Sequence, residues 1–222
     1  MTLDKTPETI QTMFNMISEK YDFMNNIISF GMQYFIKKNC IKQLVINLNS
    51  NVLDLCCGTG DLAKLLKRYN PNSSVTGMDF SVKMIEIAKN RIEGVRFLQG
   101  DATNLPYADN TFDAVTMGFG LRNIQNAEKT IEEVYRVLKP NGKFLHLDFG
   151  EKNVLSSIYD KVIMFIVRIF SNDIFAYKYL IDSKKMFPIP EELIKIFEKR
   201  GLKLLKRKDY LFKTISCQIY EK

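Results

Sequence analysis

From Asn51 onward, short apolar runs alternate with amphipathic stretches, and this alternation constrains the fold more than any other feature of the chain. Val52-Leu53-Asp54-Leu55 reads as a strand and residues 62–69 as a helix. Ser74 to Met78 reads as a second strand, Val82 to Asn90 as a helix, and Val95 to Leu98 as a third strand. Phe112 to Met117 is a fourth, followed by a helix from Ala127 to Leu138 that Pro140 stops and a fifth strand from Lys143 to Phe149. Strands alternating with helices pair in parallel through right-handed crossovers, which predicts an α/β fold with a doubly wound, mostly parallel sheet. Residues 6–46 read as helical, with Met13, Phe14, Ile17, Tyr21 and Met24 at helical spacing and a dividing turn near Ser29-Phe30-Gly31. Residues 154–185 also read as helical, and 202–221 as two further strands. At 222 residues and 46% apolar, the expectation is one domain. It comprises an N-terminal helical cap (1–46), a core (47–150), a helical lid (151–190) and a C-terminal helix with strands (191–222).

Cys40, Cys56, Cys57 and Cys217 form no CxxC pair, and the single histidine, His146, cannot complete a zinc site. No metal is expected, and the thiols read as reduced in a cytoplasmic protein. Residues 1–10 are polar and lack the apolar stretch of a signal peptide. The most lipid-like segment, Val162 to Phe170, falls short of the roughly 20 apolar residues that span a bilayer. It carries Arg168 and follows Asp160-Lys161, a composition suited to touching a membrane surface. Residues 151–222 hold 15 Lys/Arg against 9 Asp/Glu, whereas residues 1–150 hold 17 against 16. That basic C-terminal third suits an anionic membrane surface or nucleic acid, and equally a solvated lysine-rich face. Nucleic acid is disfavoured: no N/D-P-P-Y/F/W motif follows the fourth strand, and aromatic and basic residues do not interleave.

Residues 52–61 read V-L-D-L-C-C-G-T-G-D, a strand running into Gly58-Thr59-Gly60 and then a helix. Glycines there allow a tight turn and close approach of a ligand to the backbone. Gly58-x-Gly60-x-x-Ala63, with Asp79 downstream, satisfies the relaxed dinucleotide fingerprint, so NAD has to be excluded on physical grounds. Asp54 lies beside the place of a dinucleotide's pyrophosphate. It would oppose that anion by about 4 kcal/mol per charge pair at about 4 Å and an effective dielectric near 20. S-adenosylmethionine instead carries a sulfonium and an ammonium, which Asp54 and Asp61 would attract. Asp79 closes the second strand, where it can accept both ribose hydroxyls or cap the helix near Ser81. Gly100-Asp101-Ala102 follows the third strand, where a carboxylate can accept from an adenine amino group beside a small residue. Acids closing three successive strands on one sheet edge are much more specific than any one alone.

Y-D-F-M-N-N-I-I-S at 21–29, F-G-L-R-N at 119–123 and R-V-L-K-P-N-G-K at 136–143 add a further signal, with L-P-Y at 105–107 between them. Y-K-Y-L at 177–180, Ser183 and Met186-Phe187-Pro188 extend it. In these segments the chain resembles the ubiquinone/menaquinone biosynthesis C-methyltransferases over essentially its whole length. The resemblance implies a Rossmann-like class I fold and S-adenosylmethionine-dependent C-methylation of a polyprenylated quinol, either demethylmenaquinol or a 2-methoxy-6-polyprenyl-benzoquinol. It also implies that Thr59, Asp79, Asp101, Ala102 and Gly118 line the cofactor site, with Asp54, Gly58 and Gly60 forming the turn. Gly118 departs from the serine common there. Gln33 and Ile36 replace a histidine and a tryptophan, Asn141, Asp148 and Gly150 replace a glycine, a Glu and a Ser, and Phe187 replaces a frequent histidine.

Methylating a ring carbon requires a nucleophilic carbon facing the methyl group, and a quinol supplies it once a hydroxyl proton leaves. Arg122, directly after the fourth strand, is placed to stabilise the quinolate or position a water; Asn123 could hold a hydroxyl, and Asp148 accept a proton. Tyr21, Asp22, Asn25, Tyr177 and Tyr179 are candidate lid contacts to substrate, or packing residues. His146, inside the fifth strand, reads as a core residue rather than a base. The 162–170 helix offers an apolar route for the prenyl tail and peripheral contact with the inner membrane. A homodimer is compatible with the sequence. The competing readings are another class I small-molecule methyltransferase and a non-catalytic S-adenosylmethionine-binding member of a quinone-synthesis complex.

Overall fold

The computed structural model describes residues 3–170 and 173–222; positions 171 and 172 of the expected helical stretch 154–185 lie outside the described residues. Two helices, α1 (Pro7–Ile28) and α2 (Met32–Gln43), precede the sheet. Then come β1 (Asn51–Leu55), α3 (Asp61–Tyr69), β2 (Ser74–Asp79), α4 (Val82–Arg91), β3 (Arg96–Gln99) and β4 (Phe112–Gly118). A short 3-10 turn (Leu121–Asn123) leads to α5 (Ala127–Val137) and β5 (Leu138–Phe149). Three helices follow, α6 (Val154–Phe170), α7 (Ile174–Met186) and α8 (Pro190–Lys199), before the closing pair β6 (Lys203–Tyr210) and β7 (Ile215–Glu221).

The strands form one sheet in the order β3-β2-β1-β4-β5-β7-β6. β1 to β5 run parallel, and β7 is antiparallel to both β5 and β6. The doubly wound, mostly parallel sheet expected from the sequence is present. Its strand order reverses between β1 and β4, so a crevice opens there at the carboxyl ends of the strands, the place where such sheets bind ligands.

Strand alternation sorts side chains to the two faces. Val52, Val75, Ala114 and Leu145 pack against Ile36 and Cys40 of α2, Leu62 and Leu66 of α3, and Ile85 of α4. Leu53, Leu55, Val115, Phe144 and Tyr220 pack against Ile131 and Val134 of α5 and Leu193 and Phe197 of α8. A third apolar cluster joins α1, α6 and α7 through Met13, Ile17, Met24, Ile163, Val167 and Tyr177. Local chemistry sets the helix starts. The Ser81 side chain accepts from the Met84 N–H and Asn126 from the Lys129 N–H, and Glu192 accepts from Ile189 N–H ahead of Pro190. β5 begins five residues earlier than the pattern suggested, because Leu138 already pairs with Phe112 and a register shift absorbs residues 139–142. His146 is a neutral core residue, its pKa pushed down to about 3 by burial, with its ring 5.3 Å from that of Phe197.

Phe197 meets Phe144, His146 and Tyr220 and is fully buried. Phe197→Ala is expected to cost about 3–5 kcal/mol of stability in urea titrations. The exposed Phe165→Ala should stay within about 0.5 kcal/mol.

Candidate active site

A cavity of about 380 Å³ lies at the carboxyl edge of the sheet, walled by α1, α2, α6 and α7 and by the turns after β1 and β4. Its lining includes Tyr21, Asn25, Asp54, Gly58, Thr59, Gly118, Arg122 and Tyr177, eight of the residues singled out from sequence. Asp54 forms its floor and has no exposed surface. β1 and β4 are in register here, so Thr116 stands opposite Asp54 and donates its hydroxyl to Oδ1 at 2.6 Å. Oδ2 has no hydrogen-bond partner. Burial pushes the Asp54 carboxyl up to about 7, against the pull of Thr116, of the Ala63 backbone N–H and of Lys37. A buried carboxylate with one free oxygen facing a cavity fits a cationic ligand, and it opposes a pyrophosphate as the sequence suggested.

The glycine turn is shaped by a second acid. Asp79 Oδ2 accepts from the Gly58 N–H at 2.8 Å and Oδ1 from the Ser81 N–H at 2.9 Å, and Gly58 and Gly60 adopt left-handed backbone angles that favour glycine. Each oxygen keeps a lone pair for a further donor. Gly60 is packed under Ile92 and Phe97 and does not line the cavity. Asp79, Asp101 and Ala102 lie outside the cavity as well, beyond a strap formed by α1. Gln11 donates to the Phe80 carbonyl, Asn15 accepts from Ser81, and Asp22 accepts from the Thr59 hydroxyl at 2.7 Å and pairs with Arg91. Asp101 is exposed and accepts from the Thr103 N–H.

At the turn after β4 Arg122 is buried, donating to the Phe119 carbonyl and to Asp148 Oδ1 at 3.3 Å, and its guanidinium lies 4.9 Å from the Phe149 ring centroid. Asp148 sits behind Arg122, off the cavity wall, its pKa raised by burial against the pull of Arg122, with Oδ2 unpartnered. Asn123 is turned away, donating to the Phe119 carbonyl. Tyr179 is buried off the wall, and the hydroxyls of Tyr177 and Tyr179 both lack partners. The cavity adds residues that the sequence reading did not single out: Lys37 on α2, and the buried pair Lys184–Asp160 at 2.6 Å, with Lys184 5.2 Å from the Phe149 ring centroid. Their contacts join separate helices, and no local pattern announces them.

One of the two glycine departures from the family pattern has a steric basis. A Cβ on Gly150 would lie 2.1 Å from the Lys213 carbonyl oxygen, so the β6–β7 turn of this chain excludes a serine. A Cβ on Gly118 would meet only the tip of Leu62, at 2.6 Å. Gln33 and Ile36 both line the cavity, and Phe187 packs on His146 in the core.

The sheet order with its final antiparallel strand, and the glycine turn beneath a carboxyl-edge cavity, define a Rossmann-like methyltransferase fold. The sequence profile of the ubiE/COQ5 methyltransferase family matches residues 2–220, and the chain belongs to that family. It is 38% identical over 208 residues to the demethylmenaquinone methyltransferase of Thermotoga maritima, covering 90% of each chain. It is 39% identical over 205 residues to that of Staphylococcus aureus, covering 87% of this chain and 85% of the other. Among solved structures, a SAM-dependent methyltransferase from Thermotoga maritima superposes with a TM-score of 0.70 at 23% identity, over 95% of this chain and 99% of that one. At that identity the likeness shows the fold alone.

Folded Asp54 keeps its proton until about pH 7, whereas in the unfolded chain it loses it near 3.8. Stability is therefore lost as pH rises from about 4 to about 7. Asp54→Asn should remove that loss and stabilise the chain at pH 8 by up to about 4 kcal/mol, while changing little at pH 4. Urea midpoints at the two pH values check this, and an unchanged difference between them counts against the assignment.

Proposed function

We propose that this chain transfers a methyl group from S-adenosylmethionine to a ring carbon of a polyprenylated quinol, demethylmenaquinol first, with a 2-methoxy-6-polyprenyl-benzoquinol as the second candidate. One observation carries the reading: a single cavity is lined both by the half-satisfied Asp54 carboxylate at the glycine turn and by the buried Arg122 cation at the turn after β4. When bound, S-adenosylmethionine supplies an electrophilic methyl group on a sulfonium. Asp54 holds the positive end of that ligand, and Gly58, Thr59 and Gly118 shape its seat. Asp79 receives the ribose hydroxyls, and Asp101 with Ala102 the adenine edge, once α1 yields at its polar contacts. Arg122 stabilises the oxyanion left when a quinol hydroxyl gives its proton to water, and its low-polarity surroundings strengthen that interaction. The ring carbon takes the methyl as the S–CH3 bond breaks to release S-adenosylhomocysteine, then gives its own proton to water to restore the aromatic ring. Asp148 acts through Arg122 as a positioning residue, fixing the guanidinium, and Asn123 fixes the same turn through Phe119. Tyr21, Asn25 and Tyr177 close over the ring, with Asp22 and Tyr179 supporting that lid. The neutral, buried His146 takes no part in proton transfer.

An apolar rim supports the prenylated substrate. Phe30, Met32 and Phe212 line the cavity and are also exposed, at 71%, 40% and 79%. On α6, Ile158, Val162, Phe165 and Ile169 present an outward apolar stripe at helical spacing, beside Lys161, Arg168 and Lys185. No helix among the described residues is long and apolar enough to cross a membrane. The reading is peripheral attachment to the cytoplasmic face of an anionic membrane, as a monomer or a homodimer, with the tail entering from the bilayer.

Purified protein incubated with methyl-labelled S-adenosylmethionine and short-chain demethylnaphthoquinol or benzoquinol analogues tests the reaction. Label is expected in the naphthoquinol product, and transfer to neither ring rejects the substrate assignment. Arg122→Ala should lower kcat about 100- to 1,000-fold while S-adenosylhomocysteine binding by calorimetry is retained. In flotation assays the protein should rise with liposomes containing phosphatidylglycerol, and a Phe165→Ser/Ile169→Ser variant should remain at the bottom. Failure of the parent protein to float rejects the membrane reading.

A further inference from the structure

Two buried ion pairs each place a cation on the cavity wall, Arg122 with Asp148 and Lys184 with Asp160. The first serves the reacting oxygen, and the second has no part in that step. Lys184 stands on α7 and Asp160 on α6, with Nζ and Oδ1 2.6 Å apart and side chains 7% and 12% exposed. Taking two charges out of water costs more than burying apolar side chains of the same size, so such a pair is a poor way to join two helices. Ile163, Val167, Ala176 and Tyr177 already join α6 and α7 in one apolar cluster. Among the described residues only Asp160 accepts a hydrogen bond from Lys184, and an ammonium has three donors, so two are left for a ligand.

Lys184 lies against the same aromatic ring as Arg122. Its Nζ is 5.2 Å from the Phe149 ring centroid, the Arg122 guanidinium is 4.9 Å from it, and Phe149 itself lines the cavity. Each cation is held by an acid on a different element, Asp148 on β5 and Asp160 on α6. Two like charges with separate partners fit two oxygens of one ligand better than a single oxygen, because convergence on one atom would drive the cations together. A 1,4-quinol has two such oxygens. One is ortho to the carbon that is methylated and activates it; the other lies across the ring, beside the carbon that bears the prenyl chain. We infer that Lys184, held by Asp160, reads that second oxygen and makes the site selective for para-diols over rings with one hydroxyl. The inference rests on the quinol reading of the cavity, with Arg122 at the reacting oxygen, and adds the feature of the ring that the second cation recognises.

Anaerobic methyl transfer to two acceptors tests this: 2-prenyl-1,4-naphthalenediol, and 3-prenyl-1-naphthol, which keeps the reacting hydroxyl and lacks the second oxygen. The parent protein should show a KM for the diol about 10- to 100-fold below that for the naphthol. Where the naphthol is not methylated, its inhibition constant against the diol takes the place of its KM. Lys184→Met/Asp160→Leu removes the pair without stranding a buried acid, and should bring the two values together by raising that of the diol. The rings differ in intrinsic reactivity, but that difference is common to parent and variant, so the change in ratio reads the contact. Equal values in the parent overturn the inference, whether or not the variant folds, and leave the quinol reading in place. A folded variant that keeps the parent's ratio, whatever its kcat, overturns it as well. Transfer to neither acceptor by the parent would instead remove the quinol reading, and the inference with it.

Discussion

A carboxylate placed out of water at the carboxyl end of the central strand governs how this edge of the sheet is built. Asp54 has one oxygen tied to Thr116 and the other free, so the ligand-free site carries the desolvation cost of a charge, or a proton that masks it. A cation resolves that situation. The turn above it is held by a second acid, because Asp79 accepts from the Gly58 N–H and thereby fixes the loop that a ligand has to approach. Negative charge lies below and beside the turn, and positive charge enters from the surrounding helices through Lys37 and Arg91.

The cavity's other charged side chains follow the reverse logic. Two cations, each locked to a buried acid, flank Phe149: Arg122 with Asp148, and Lys184 with Asp160. Each cation is held by its own partner, so Asp54 is not the counter-ion of either. A lining that offers both an unpaired carboxylate oxygen and locked cations suits a reaction that joins a cationic donor to an anionic acceptor. The apolar rim at Phe30, Met32 and Phe212 adds a part that carries no charge in the cavity lining beside it other than the pairs already described.

Much of this was legible in the sequence, and the rest was hidden for definable reasons. The parallel strands and their helices were read from period and punctuation, because Ser81, Asn126 and Pro190 start helices by local hydrogen bonding or ring geometry. β5 was read too short because pairing of Leu138 with Phe112 is a long-range event that Pro140 disguises. At the site, Asp54, Asp79 and Arg122 stand out since strand ends and glycine turns are local signals. Lys37, Asp160 and Lys184 do not, because their meaning lies in contacts between elements far apart in the chain. The strand parity that puts Asp148 on the face with Phe144 and His146, behind Arg122 and off the cavity wall, was implicit in the alternation but needed the position of the turn at 121–123 to be read.

The first helix draws these parts together. Within one turn and its neighbour, Tyr21 and Asn25 face the cavity while Asp22 holds Thr59 and Arg91. Arg91 is in turn the second partner of Asp61, whose first partner is Lys37. The contact of α1 with the glycine turn is therefore part of one chain of charges that runs from Asp22 through Arg91 and Asp61 to Lys37. Tyr21 and Asn25 stand on the same helix as Asp22, so one element supplies both part of the cavity lining and the contact with the glycine turn.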